Sequence, residues 1–98
     1  MIKVTEHSES INIEGHAGYA PHGQDIVCAA VSSLCQTLIQ SIDDLTEDSL
    51  EYSMQSGMVE IKHKILSEKA QLLIESFFVG IEMIADNYPE HVQLSRRG

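Results

Sequence analysis

The chain has 98 residues, 43% of them hydrophobic with 6 Gly and 2 Pro, and its 15 Asp plus Glu against 6 Lys plus Arg give a formal charge of −9. That length and composition predict one globular domain with a modest core, residues 1–98, and exclude a disordered chain. The acidic balance repels phosphate backbones, which argues against direct nucleic-acid binding and favours a basic polypeptide as partner.

Ile2 and Val4, then Ile11 and Ile13, alternate with polar neighbours across His7-Ser8-Glu9-Ser10 and predict a first hairpin. Gly15 to Gln24, with three Gly and a Pro, is expected to be a mobile loop. From Asp25 a helical pattern begins, its apolar face made of Val27, Val31, Leu34, Leu38, Ile42 and Leu45, and Thr46-Glu47-Asp48 ends it. A second alternating pair follows, Leu50, Tyr52 and Met54 and then Val59 and Ile61, turned by Gln55-Ser56-Gly57. The second helix runs from about Ser67 to Asn87 on a stripe of Ala70, Ile74, Phe77, Ile81, Ile84 and Tyr88, closed by Pro89. Val92 and Leu94 supply a short last strand, and Arg96-Arg97 reads as a frayed tail. The predicted fold is α+β: an antiparallel sheet with two helices packed on it, in the order ββαββαβ. No apolar run approaches the ~20 residues of a membrane span and the first residues lack a signal core, so a cytoplasmic protein without membrane attachment is expected.

The two cysteines, Cys28 and Cys35, lie seven residues apart on the first predicted helix. Their Cα atoms would be roughly 10.5 Å apart, too far for a disulfide, and two free thiols suit a reducing compartment. With Asp25 as N-cap, Cys28 falls at the third helical position, where unpaired N–H groups and the helix dipole favour an anion. The Gly-rich loop carrying His16 precedes it and is long enough to bring an imidazole to the sulfur. The free N–H groups of the helix start also offer an oxyanion site. Against this stands the ordinary habit of free Cys, which packs as a small hydrophobe, and the neighbours of Cys28 are apolar. Cys35, beside Leu34, is expected in the core; His7, His63 and His91 are expected at solvated positions.

The stretch from Gly15 to Ser32, GHAGYAPHGQDIVCAAVS, resembles the signature of the Prp family, the ribosomal-processing cysteine proteases. The Gly-His-Ala loop, the twelve residues from His16 to Cys28, the Asp-x-Val-Cys helix start and Ser32 one turn later carry the resemblance. It extends more loosely to the Val92-Gln93-Leu94 end. The resemblance implies an endopeptidase without a cofactor, with Cys28 as nucleophile and His16 as its base. It implies as substrate a basic ribosomal protein, the twenty-seventh of the large subunit, whose N-terminal extension is cut after an aromatic residue and before a small one. It also implies a homodimer, and marks Gly15, Asp25 and Ser32 as supporting positions. Gly15 would let the loop approach the helix closely. Asp25 either caps the helix or orients His16 as a third triad member. Ser32 either touches the site from the same helix face or bonds back to the carbonyl of residue 28.

Three other readings compete. His16, His22 and Cys28 with one more ligand would make a zinc site, but no tight ligand pair supports it and no metal is expected. A non-catalytic ribosome-assembly module would bind a basic ribosomal protein without cutting it. A redox sensor would use Cys28 as an oxidisable thiol.

Overall fold

The computed structural model describes residues 1–64 and 66–96, with elements in the order ββαββαβ. β1 (Ile2–Glu6) and β2 (Ser10–Glu14) form the first hairpin, Val4 opposite Ile13. β3 (Glu51–Gln55) and β4 (Met58–Lys62) form the second, closed by Ser56-Gly57 with Gly57 at φ +76°. A glycine enters that left-handed region without a Cβ penalty. β4 pairs antiparallel with β2, and β5 (Val92–Ser95) joins β1, giving the order β3-β4-β2-β1-β5.

The α+β class and the element order stand as expected. One pairing departs from the expected antiparallel sheet: β5 runs parallel to β1, Ile2 opposite Val92, so the sheet is mixed. α2 (Glu68–Asn87) returns the chain from the end of β4 to the sheet end where β1 starts, and a strand that begins there runs with β1.

Asp25 caps the first helix as expected, and Ser67, read from the sequence as the start of the second helix, stands one residue before it as its N-cap. Asp25 Oδ1 accepts the N–H groups of Val27 and Cys28 at 3.0 and 2.9 Å and opens α1 (Ile26–Leu45). Ser67 Oγ accepts the N–H of Ala70 at 3.2 Å and opens α2. Tyr88 returns its N–H to Ile84 O at 2.8 Å, and Pro89 cannot extend the helix.

The core lies between one sheet face and the two helices. Ile2, Val4, Ile11, Ile13, Ile61 and Val92 meet Val27, Val31, Cys35, Leu38 and Ile42 of α1 and Ala70, Ile74, Phe77, Phe78 and Ile81 of α2. Full burial of such a side chain is worth roughly 1.5–3 kcal/mol. In α1 the expected stripe shifts: Cys35 is buried, Leu34 only half-buried, and Leu45 is exposed at the helix end. With 20 residues and a mean hydropathy of 1.4, α1 matches a membrane span in length and composition, which the sequence expectation did not foresee. Its apolar face is occupied by the core, and Ser32, Ser33, Gln36, Thr37 and Gln40 stand on its exposed side. The helix layer does not cover edge strand β3, where Tyr52 and Met54 remain 55% and 40% exposed.

Arg96 and His63, both expected at solvated positions, are held in the fold. Arg96 is no frayed end. Its Nε and Nη2 donate to Glu6 at 2.9 and 3.2 Å, Nη2 also reaches Glu75 at 2.6 Å, and the guanidinium lies 4.0 Å from the Phe78 ring centroid. Arg97 falls outside the described residues. His63 is half-buried, its Nε2 without a hydrogen-bond partner among the described residues, and burial holds its pKa below 6.5 against the pull of Glu6 and Glu9.

Candidate active site

β2 ends, β4 begins and α1 starts at the same end of the sheet, with Glu14 opposite Met58. The loop that leaves β2 there is tied down through its first half. Gly15 donates its N–H to Gly57 O at 2.8 Å, joining the loop base to the β3–β4 turn. Gly15 takes φ +94°, and a Cβ there would overlap the Met1 carbonyl oxygen. Its missing side chain therefore serves an approach to Met1, not to α1 as the sequence suggested.

His16 comes next and is exposed. Its carbonyl accepts the Met1 ammonium at 2.6 Å, and its ring rests on Gly57, where an added Cβ would stand 2.9 Å from Nε2. Ala17 is 2% exposed, the one buried residue between Gly15 and Gln24. Its N–H donates to Cys28 Sγ at 3.3 Å, and its carbonyl accepts from His91 Nδ1 at 2.9 Å. Tyr19 and Ala20 then donate their N–H groups to Asp25 Oδ2 at 3.0 and 3.3 Å. The expected mobile loop is thus fastened from Gly15 to Ala20, while Pro21, His22 and Gly23 stand exposed.

Asp25 is the hinge of this arrangement. One carboxylate oxygen caps α1 and the other holds the loop. Four backbone donors, Cys28 first, keep its carboxyl below the ordinary 3.8 despite partial desolvation. Of the two alternatives for Asp25, the geometry is that of a cap; its bonds run to backbone N–H groups, not to His16. The same cap corrects the expected oxyanion site. Val27 and Cys28 give their N–H groups to Asp25 Oδ1, and Ala29 gives its own to Asp25 O at 3.1 Å. The donor beside the sulfur belongs instead to the loop, at Ala17.

Cys28 is half-buried and shares two adjoining clefts with His16. The wider, about 560 Å³, runs past Gly18, His22, Asp25, Ser32 and Ser56. The narrower, about 210 Å³, passes between α1 and the uncovered β3–β4 edge and is lined by Val31, Cys35, Met54, Met58 and Val59. It exists because the helix layer stops short of β3. No hydrogen bond joins His16 to Cys28 among the described residues, and the imidazole is seated at the hairpin turn. Ser32 lines both clefts; its Oγ accepts from Gln36 Nε2 at 3.1 Å. Cys35 lies 1% exposed, and burial pushes its thiol up to about 11. Among the described residues no three His, Cys, Asp or Glu side chains gather as metal ligands.

Sequence reasoning missed three contributors. Gly57 was a turn residue, with no signal that an imidazole would lie on it. Tyr19 packs edge-on against Tyr88 and His91, with ring centroids 5.5 and 5.4 Å apart. His91, expected in solvent, is half-buried beneath the loop. Residues more than seventy positions apart meet here only because β5 returns beside β1.

The family model described as Cysteine protease Prp matches residues 1–93. The ribosomal processing cysteine protease Prp of Bacillus subtilis is 31% identical over 93 residues, covering 88% of this chain and 83% of that protein. Its Staphylococcus aureus counterpart is 28% identical over 96 residues, covering 95% and 87%. The crystal structure of Prp from S. aureus in complex with a covalently linked product peptide superposes with a TM-score of 0.88 at 23% identity, covering 98% of this chain and 97% of that one. That likeness shows a common fold. The match over residues 1–93 decides the larger question: the chain belongs to the Prp family and is a cysteine protease.

Proposed function

We propose that the chain is an endopeptidase that removes the N-terminal extension of a large-subunit ribosomal protein, the twenty-seventh, with Cys28 as nucleophile and His16 as base. The observation that carries the assignment is the Cys28 sulfur in an open cleft, met by the Ala17 N–H at 3.3 Å and with His16 on the same walls. Two relatives bear the name ribosomal processing cysteine protease, and the charge of −9 suits a basic substrate. Two free thiols suit a reducing cytoplasm. Pairing into a homodimer belongs to the same reading, supported by exposed Leu72, Val79 and Met83 on α2.

The steps follow from the placement. His16 takes the thiol proton, and the thiolate attacks the scissile carbonyl carbon, forming a C–S bond as the carbonyl oxygen gains the charge. The Ala17 N–H is the donor placed to turn from sulfur to that oxyanion. Collapse breaks the C–N bond, and the amine leaves with the proton from the His16 imidazolium. Water, deprotonated by His16, then hydrolyses the thioester, releasing the extension as an acid and restoring the thiol. The narrow slot of Val31, Met54, Met58 and Val59 suits the aromatic residue before the cut. Gly15, Asp25 and Ser32 support the site: the first two fix the loop, and Ser32 forms cleft wall. Incubation with the unprocessed ribosomal protein should give one defined cut with the wild type and none with Cys28→Ala or His16→Ala. Unchanged cleavage by Cys28→Ala would overturn the assignment.

A further inference from the structure

Ala17 is held from both sides. Its N–H meets Cys28 Sγ at 3.3 Å, and its carbonyl accepts from His91 Nδ1 at 2.9 Å. A carbonyl oxygen only accepts, so Nδ1 carries the proton in this contact. The His91 ring is fixed in turn, edge-on to Tyr19 at 5.4 Å, and Tyr19 is edge-on to Tyr88 at 5.5 Å. Such aromatic contacts give an orientation as well as burial. His91 itself follows the C-cap of α2, where its N–H returns to Tyr88 O at 2.9 Å, and Ile2 donates to its carbonyl at 2.8 Å. A rigid helix end therefore reaches across the molecule to the one buried residue of the loop.

We infer that His91 is a positioning residue for the protease site: by holding the Ala17 carbonyl it anchors the residue whose N–H meets the Cys28 sulfur. The inference rests on Cys28 being the nucleophile. It assigns the turn between α2 and β5 a part in the reaction although no side chain of that turn lines the cleft. Asp25 grips the loop further on, at Tyr19 and Ala20, and the Met1 ammonium grips the His16 carbonyl, which shares its peptide plane with the Ala17 N–H. Neither orients the Ala17 carbonyl.

The test compares His91→Phe, which keeps a ring against Tyr19 but loses the donor, with His91→Asn, whose amide places an N–H close to the Nδ1 position. In the wild type and both variants the ionisable groups around the sulfur (His16, His22, Asp25) are unchanged. Two quantities are read: the iodoacetamide rate of Cys28 at pH 7, and kcat and KM on a peptide spanning the cleavage site. Loss of a charge-assisted contact in the transition state predicts a fall in kcat of about tenfold or more for His91→Phe, with KM nearly unchanged. Alkylation of Cys28 should slow several-fold. His91→Asn should recover most of both, which removes the imidazole charge as the explanation. His91→Ala serves as the donor-free variant should the Phe form lose its fold. Wild-type kcat and alkylation in a folded donor-free variant, or no recovery by His91→Asn, would overturn the inference. Cys28→Ala run alongside separates the failures: if it still cuts, the assignment of the nucleophile has failed, not the role of His91.

Discussion

The first turn of α1 and its middle carry the same side chain into opposite surroundings. Cys28 sits at the capped end, half-buried, with a loop N–H on its sulfur and two clefts opening beside it. Cys35, two turns further on, is buried in the core at the floor of the narrower cleft, and burial raises its thiol to about 11. Helix position alone does not make that difference. The Val27, Cys28 and Ala29 N–H groups are taken by Asp25, so the helix end serves chiefly to place the sulfur under the loop. The comparison teaches that the surroundings of Cys28 are assembled from four pieces of chain: loop, helix start, hairpin turn and, beneath the loop, the turn before β5.

The contrast predicts reciprocal substitutions. Cys28→Ser should lower cleavage by at least about 10³-fold, because the hydroxyl is a poor nucleophile here, and leave the thermal midpoint near that of the wild type. Full activity would end the account of the first turn. Alkylation should follow the same divide: under native conditions Cys28 reacts and Cys35 stays a protonated, enclosed thiol. Mass mapping should show a ratio of roughly 100 or more that collapses in denaturant. Equal native rates would erase the distinction.

Gly57→Ala tests the seat of the imidazole. Its Cβ would stand 2.9 Å from His16 Nε2 in a backbone at φ +76°, so the ring must move. A fall in kcat of about ten- to a hundredfold is expected, with a stability loss near 1 kcal/mol from the left-handed backbone. Cys35→Ser should do the reverse of Cys28→Ser: cleavage unchanged, and stability lower by about 1–3 kcal/mol from an unpaired core hydroxyl, measured by urea unfolding.

The smallest effect lies in acid. Asp25 has a folded value below the ordinary 3.8, so its cap and loop bonds add stability that is present above that value. The contribution is lost as pH falls through the depressed folded value. The protection of the Tyr19, Ala20 and Cys28 amides, measured against their intrinsic exchange rates, should hold at pH 5 and fall only in that acid window. Asp25→Asn should lower that protection already at pH 5.

Much of this was legible in the sequence because it is local. Alternating Ile and Val residues, the Asp25 cap, the apolar stripes of the two helices, the Gly57 turn and Pro89 specify all seven elements from near neighbours. Cys28, His16 and Asp25 stood out because an acid cap, a thiol one turn later and a Gly-rich histidine loop lie within fourteen residues. What was not legible depends on the sheet order. The parallel β1–β5 pair brings His91 beneath Ala17, and the β2–β4 pair brings Gly57 beneath His16. No spacing in the chain announces either contact. The first N–H groups of α1 were misread for a related reason. Helix geometry leaves its first N–H groups free, and only the Asp25 contacts reveal that they are occupied. Arg96 was misjudged because its partners Glu6 and Glu75 come from distant elements.

The central claim is that a covalent bond forms at Cys28. A peptide spanning the cleavage site, mixed with the protein and quenched in acid within one turnover, should leave an acyl group on the fragment that carries Cys28. The mass gain should equal the N-terminal half of the substrate less water, and Cys28→Ala should show neither adduct nor product. An adduct on Cys35, or product formed by Cys28→Ala, would contradict the account.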